Sequence, residues 1–465
     1  MNFRDIFLVS SFLVIAMTGC EVHSIAAAGK VPLPPAWKNA GHFPVAAPSR
    51  DLTRWWVKFD DPTLTQLIAQ ALSQSPTVES ASARIRESQA RRNAENASLF
   101  PALRGSASAA NNLSSNDGAG SASSSTFGSG LNASWEADLF GKHRSLIEAA
   151  SAQIGAAEEN FHSVQAALAA EIAIAYTQVR VNEAALNVLR QTIQTREETS
   201  RLATWRTQAG LADSLESSQA LSSLEQARAA VPAFEQNASQ SRNRLTLLAG
   251  QAPGSLDPLL FASKKSIPNP ARSLALAIPA DTLRQRPDVR LAGYQLLAAA
   301  AQSRAVDAER FPTLNLTGSL GLNSLSATRI FTPETVSSGI IAGLTGPIFD
   351  AGRIRANIDA QNASEQQAFQ TYRSTVLTAL AEVEDSLIAC RRTSERLEIL
   401  ERAALAAREA AQLAQQRYQA GVTDILTVLD SQRTLLGLED SLFTVRANRS
   451  IAYIQLYKAL GGGWS

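Results

Sequence analysis

The chain has 465 residues, 45% of them hydrophobic, and 43 basic residues stand against 42 acidic ones for a net charge of +1. That balance provides no strong field for nucleic acid. The 2 cysteines and 4 histidines, at no zinc-ligand spacing, argue against a clustered metal centre. Beyond the N-terminus no run approaches the ~18 apolar residues of a spanning helix, which excludes a polytopic helical membrane protein.

Ile6 to Met17 is an apolar stretch too short to cross a bilayer. It ends at Met17-Thr18-Gly19-Cys20, which resembles a bacterial lipoprotein signal. That resemblance implies removal of residues 1–19 and acylation of Cys20, with Glu21 pointing to the outer membrane rather than the inner one. Several acyl chains anchor stably where one is marginal. The remaining cysteine, Cys390, is then left without a partner. Pro32, Pro34 and Pro35 predict an extended segment over 20–61.

From about Pro76 onward the chain is written twice. A shift of 211 carries Pro76 onto Pro287, Phe100-Pro101 onto Phe311-Pro312, Gly141 onto Gly352 and Arg206 onto Arg417. The same shift carries Gln208-Ala209-Gly210 onto Gln419-Ala420-Gly421, Asp213 onto Asp424 and Gly250 onto Gly461. A constant offset that hits turns and breakers indicates duplication. The reading is a first repeat over 62–250, a Pro-rich connector over 251–286 that wraps the body partway down, and a second repeat over 287–465.

Each repeat has the same parts. Thr77–Ser98 and Asp288–Arg310 read as helices closed by Phe-Pro. Phe127–Leu139 and Leu314–Leu322 alternate apolar and polar residues, the period of a strand. Leu103–Asn111 and Ile340–Ile348 are weaker partners, and Asn112–Thr126 and Asn323–Ser338 read as polar loops. Lys142–Gln208 and Arg353–Gln419 then run 67 residues each without proline, about 100 Å if helical. In the second, Val376, Leu380, Val383, Leu387, Cys390 and Leu397 follow a seven-residue step, the mark of a left-handed supercoil. Cys390 on that stripe is a buried structural residue. Gly210 and Gly421 supply left-handed helix ends. Asp213 and Asp424 then cap the returning helices Ser214–Ala249 and Ile425–Leu460, Asp213 forming a capping box with Glu216. Pro232 predicts an interruption and kink in the first of these. A short helix and a returning helix together match one long helix in length, so they stack end to end beside it.

The fold class is therefore mainly α, with long coiled-coil helices, a duplicated unit and four strands per protomer. Four strands cannot close a membrane barrel, which needs at least about eight, and an open edge is not tolerated in lipid. Three copies supply twelve strands and leave a lumen, which the helices extend as a tunnel. No Ser/His/Asp constellation, phosphate-binding glycine loop or metal cluster is present to make the chain an enzyme.

At this point a family resemblance becomes specific. Trp55-Trp56-Val57-Lys58-Phe59-Asp60-Asp61-Pro62-Thr63-Leu64, Leu99-Phe100-Pro101, Trp135-Glu136-Ala137-Asp138-Leu139-Phe140-Gly141, Pro347-Ile348-Phe349-Asp350-Ala351-Gly352-Arg353, and Arg417-Tyr418-Gln419-Ala420-Gly421 followed by Leu429-Asp430-Ser431-Gln432 carry it. They resemble the outer-membrane factor family of TolC-like channels, in its lipoprotein branch that serves resistance-nodulation-division (RND) efflux pumps. The resemblance implies a homotrimer with a 12-stranded barrel in outer-membrane lipid and a periplasmic helical tunnel. It also implies a periplasmic adaptor (membrane fusion protein) and an inner-membrane RND transporter as partners, no cofactor, and passive export of drugs and other small compounds. Docking to the adaptor falls on the turns at Gly210, Leu211, Asp213, Gly421, Val422 and Asp424. The periplasmic gate falls on Leu426 and Asp430. Threefold repetition brings three Asp430 carboxylates near one axis, where they repel one another and attract cations. The first-repeat equivalents, Leu215 and Gln219, carry no charge. A protein-secretion exit channel and a periplasmic scaffold are the competing readings.

Overall fold

The computed structural model describes residues 37–39, 52–116, 120–263, 266–270 and 280–464. Cys20 and the proline-rich leader lie outside them. After a 3-10 turn at Trp55–Phe59, the elements are α1 (Pro62–Gln74), α2 (Pro76–Ala97), β1 (Ala102–Asn116), β2 (Gly120–Ala137), α3 (Lys142–Gln208) and α4 (Ser214–Leu248). The connector holds a short α5 (Asp257–Ala262). The second repeat follows with α6 (Pro287–Asp307), β3 (Thr313–Ser324), β4 (Val336–Thr345), α7 (Arg353–Gln419) and α8 (Ile425–Ala459). No helix among the described residues is long and apolar enough to cross a membrane.

Local chemistry sets the helix ends. Proline opens α1, α2 and α6 at the position where a missing N–H costs nothing. The Asp61 carboxylate accepts the Leu64 N–H at 3.0 Å. Both long helices start after a left-handed glycine, Gly141 at φ 79° and Gly352 at φ 87°. An upstream acid covers the free amides there: Asp138 accepts from His143 and Arg144, and Asp350 accepts from Gly352 and Ile354.

α2 and α4 lie end to end along α3, α6 and α8 lie end to end along α7, and α3 packs against both α6 and α8. The junctions are tight. A Cβ on Gly250 would meet the Gln74 carbonyl oxygen at 2.7 Å, and one on Gly461 would meet Arg286 Cγ at 3.1 Å. The Gln251 amide donates to Gln74 Oε1 at 3.1 Å, and Arg286 donates to the Ala459 carbonyl at 2.8 Å. Along α7 the buried positions Val376, Val383, Cys390, Leu397, Ala404, Ala411 and Tyr418 recur every seven residues, as the supercoil pattern requires. Cys390 is fully buried, and burial pushes its thiol up to about 12, so it is inert.

The main core gathers where the N-terminal segment, α1, α3, α7 and α8 converge. Trp55 is fully buried and stacks on Tyr457 with ring centroids 5.8 Å apart. Tyr176 donates to Asp61 at 2.9 Å, which ties the start of α1 to α3. The connector is held from both repeats. The buried Arg180 of α3 donates to the Leu260 carbonyl and Ser263, while Arg449 and Ser450 of α8 donate to Asn269 and the Pro268 carbonyl.

Two sequence expectations give way here. α4 runs through Pro232 without the expected interruption, because a proline inside a long packed helix removes one hydrogen bond without ending the ladder on either side. The stretch Asn112–Thr126 is not a loop: β1 and β2 continue as a ladder out to the pair Asn116 and Gly120. Backbone bonds hold that extension, so its Ser- and Asn-rich side chains carry no alternation to read.

Candidate functional site

The strands form one antiparallel sheet in the order β1-β2-β3-β4. The register sorts its side chains by face. Leu103, Ala133, Gly318 and Ile340 are cross-strand neighbours, as are Trp135, Leu316 and Ala342. They lie on one apolar face together with Leu131, Leu320, Leu322 and Leu344. The opposite face carries Ser106, Asn132, Ser134, Thr317, Ser319 and Asn323, with Ile341 as an apolar exception. A one-residue slip would exchange the two faces.

The polar face is crowded in the middle of β2, though Gly343 on the same face of β4 has nothing within 4 Å. A Cβ on Gly128 would meet Ser108 Oγ at 2.9 Å, and one on Gly130 would meet Gly321 Cα at 3.2 Å. On the apolar face Gly105 and Gly318 have nothing nearer than 3.8 Å. Crowding on one side is the geometry of a concave inner wall. The outer edges of β1 and β4 have no strand partner among the described residues. These two edges run antiparallel to each other. Trp135 Nε1 donates to the Leu99 carbonyl at 2.9 Å and fixes the sheet base to α2.

At the far end of the molecule the two hairpin turns lie side by side. Gly210 (φ 72°) and Gly421 (φ 75°) are left-handed, and each turn closes with two bonds: Leu211 N–H to Arg206 and Gly210 N–H to Thr207, Val422 N–H to Arg417 and Gly421 N–H to Tyr418. Leu211 and Val422, 71% and 72% exposed, project from these tips. Asp424 caps α8, accepting from the Thr427 N–H at 2.9 Å and the Thr427 hydroxyl at 2.6 Å. These bonds hold its carboxyl below the usual range.

Asp213 does not repeat that role. Its side chain makes no cap bond and accepts only the Ser214 hydroxyl at 3.1 Å, while its carbonyl accepts from Glu216 N–H and Thr207 Oγ1. The expected capping box is absent because Glu216 is used elsewhere: its carboxylate accepts the Tyr418 hydroxyl at 3.0 Å. Arg206 donates to the Tyr418 carbonyl at 2.8 Å and lies 4.8 Å over its ring. This clasp joins the first-repeat tip to the second. Tyr418 is fully buried, and burial, reinforced by Glu216, pushes its hydroxyl up to about 12.

Leu426 and Asp430 both line a groove between the repeats, faced by Arg196 of α3 and by Ser218 and Gln219 of α4. Leu426 is exposed, and Asp430 pairs with Arg433 one turn further along α8. Behind them the buried Gln432 donates to Thr199 at 3.3 Å. The structure thus brings together the tip and groove residues that the sequence singled out. It adds Arg206, Glu216, Tyr418, Arg433 and Gln432. Tyr418 and Gln432 stand inside family motifs, Arg206 at a matched repeat position and Glu216 at capping-box spacing, but none of these signals points to the contacts made, which depend on partners on separate helices; Arg433 carries no signal.

α7 carries a further unpartnered feature. Leu377, Ile388 and Ile399, all exposed and spaced by eleven, lie on nearly one side of the helix. α6 and α8 pack along other sides of α7, and near this stripe the N-terminal segment touches the helix, Lys38 N–H and Asn39 Nδ2 donating to Glu384 at 2.7 and 2.6 Å.

The family described as outer membrane efflux protein matches residues 67–251 and 278–462, two segments displaced from each other by 211 at both ends. The probable efflux pump outer membrane protein SepC of Pseudomonas putida is 31% identical over 98% of this chain and 96% of its own length. The pyoverdine export outer membrane protein OpmQ of Pseudomonas aeruginosa is 30% identical over 100% of this chain and 98% of its own. Among solved structures, the outer-membrane channel OprN is 30% identical with a TM-score of 0.84, covering 94% of this chain and 98% of that one. The open-state MtrE outer membrane channel of Neisseria gonorrhoeae is 28% identical with a TM-score of 0.78, covering 93% and 96%. A duplicated helical hairpin body, a two-faced four-stranded sheet and relatives matched from end to end lead to one conclusion: the chain belongs to the outer membrane efflux protein family and is the outer-membrane channel of an efflux pump.

Proposed function

We propose that three copies of this chain close a 12-stranded barrel in outer-membrane lipid, continued by a helical tunnel into the periplasm. The observation that carries the reading is the open sheet. Its two free edges run antiparallel, so β4 of one copy and β1 of the next extend the same ladder. Lipid does not accept either edge unpaired. The apolar face then meets lipid and the crowded polar face lines the lumen. β3 and β4, with 12 and 10 residues, match the ~9–11 residues of a tilted spanning strand. The seam of Leu377, Ile388 and Ile399 on α7 meets the α2/α4 flank of the next copy.

The periplasmic adaptor docks on the paired tips, through Gly210, Leu211 and Asp213 and through Gly421, Val422 and Asp424, and links the channel to an inner-membrane RND transporter. Acylation at Cys20 anchors the N-terminus. Leu426 and Asp430 form the constriction. Pairing of Asp430 with Arg433 makes it a ring of ion pairs rather than of bare acids. The cargo is small organic compounds: relatives are named for toluene and for pyoverdine export, and the duct has no chemistry of its own. Opening is an outward swing of the α7–α8 hairpin once the Arg206–Tyr418–Glu216 clasp releases.

Conductance in planar membranes tests this. The intact chain gives small currents, and the Leu426→Ala/Asp430→Ala pair raises conductance and shifts selectivity toward anions, since Arg433 loses its partner. Absence of any conductance from folded protein overturns the reading. A deletion strain separates efflux from protein secretion: drug sensitivity supports efflux, and loss of a secreted protein instead supports the secretion channel.

A further inference from the structure

A cavity of about 840 Å³ opens between the connector and the α7–α8 hairpin. Phe443 and Tyr453 of α8, Leu397 of α7 and Ala184 of α3 give it apolar walls, and Asn269 closes one end. Three arginines line it. Arg446 pairs with Glu401 at 3.1 Å, and Arg391 lies 3.8 Å from Glu395. Arg449 has no carboxylate in ion-pair reach among the described residues, although it is 8% exposed. Its Nη1 donates to the neutral Asn269 side chain at 3.0 Å, and its guanidinium lies 5.6 Å from the Tyr453 ring centroid. Its Nε–H is sealed from solvent and has no partner.

A buried guanidinium is kept where a counter-charge answers it, because an unpaired one forfeits its hydration without return. We propose that this cavity binds a small organic carboxylate, with the carboxylate answering the charge of the Arg449 guanidinium and an apolar or aromatic body against Phe443 and Tyr453. The volume is in the range of small-molecule sites, about 300–1,000 Å³. Glu398, exposed on the same wall and without an ion pair among the described residues, sets the selectivity: its charge opposes a second acidic group on the ligand. The site stands apart from the lumen reading, since the pocket is complete within one copy.

The test titrates the full chain in neutral detergent with 3-phenylpropionate, read by calorimetry. Saturable binding is expected, at least tenfold tighter than that of 3-phenylpropionamide or phenethylammonium. Arg449→Gln weakens it at least tenfold, and Arg449→Lys keeps part of it. Glu398→Gln, an exposed position that leaves the fold intact, tightens it severalfold and decides the matter if the arginine variants do not fold. Equal binding of the amide, or no change in either the arginine or the Glu398 variant, overturns the site. So does a third result, in which nothing binds the intact chain but Arg449→Gln changes the number of copies per particle. The counter-charge then belongs to a second copy.

Discussion

The two repeats share a skeleton and differ in chemistry where it matters. Gly210 and Gly421 make the same turn with the same bonding pattern. One turn later they diverge: Leu215 and Gln219 stand in the first copy, Leu426 and Asp430 in the second. Asp424 caps its helix, whereas Asp213 leaves the cap unmade while Glu216 reaches across to Tyr418. The strand hairpins diverge too, with 15 and 18 residues in the first copy and 12 and 10 in the second. Duplication supplies the hairpin scaffold, and the differences give the first copy Arg206 and Glu216 of the clasp and the second the charge at the position proposed for the constriction.

The sharpest contrast lies within one strand of the sheet. Leu320 and Ser319 are adjacent on β3 and face opposite ways. Leu320→Arg puts a charge on the apolar face and costs about 2–4 kcal/mol if it lies near the bilayer midplane, while Ser319→Arg costs far less. Chemical unfolding from lipid vesicles measures both, and equal losses would break the two-face assignment.

The two ends of α4 give the next contrast. Gly250 and Gly210 share a φ of 72°, but only Gly250 is packed against backbone. Gly210→Ala pays about 1–2 kcal/mol for the left-handed conformation alone, and Gly250→Ala pays that plus the clash with the Gln74 carbonyl. Melting temperatures rank them, and the reverse ranking would contradict the end-to-end junction of α2 and α4.

The clasp joins the copies, so it separates their roles. Tyr418→Phe removes a hydrogen bond to a carboxylate, worth about 1.5–3 kcal/mol, and raises the open fraction in single-channel recordings about tenfold or more. Because the Tyr418 hydroxyl is pushed up to about 12, its contribution is complete below pH 10. It is lost as pH rises from there through 12, where the phenolate forms beside Glu216. Tyr176 and Tyr457 are raised in the same way by burial and follow the same course. Tyr418→Phe should therefore remove only the tip's share of the alkaline loss. The smallest contrast is between the caps: Asp424→Ala lowers the melting temperature measurably and Asp213→Ala does not.

Much of this was legible because it rests on local chemistry. The offset of 211, the glycines closing the long helices and the seven-residue step on α7 fix the hairpins from the residues alone. The tip and groove positions Gly210, Gly421, Leu426 and Asp430 followed from that frame and from the family motifs. What escaped is non-local or sequence-silent. Arg206 and Glu216 meet Tyr418 across about 200 residues of chain, so nothing in their own neighbourhoods shows that contact. Glu216 stood at the spacing of a capping box and was drawn away by a buried tyrosine. The Ser-rich end of the β1–β2 hairpin is held by backbone bonds that no side-chain pattern records, and the unanswered charge of Arg449 emerges only when the connector folds over α8.

The account depends most on assembly. Electron microscopy of the detergent-purified full chain tests it directly. Three copies around one axis are predicted, forming a hollow needle with a closed barrel at one end and about 100 Å of helical tunnel. A folded monomer, or an assembly in which the β1 and β4 edges stay unpaired, would contradict it.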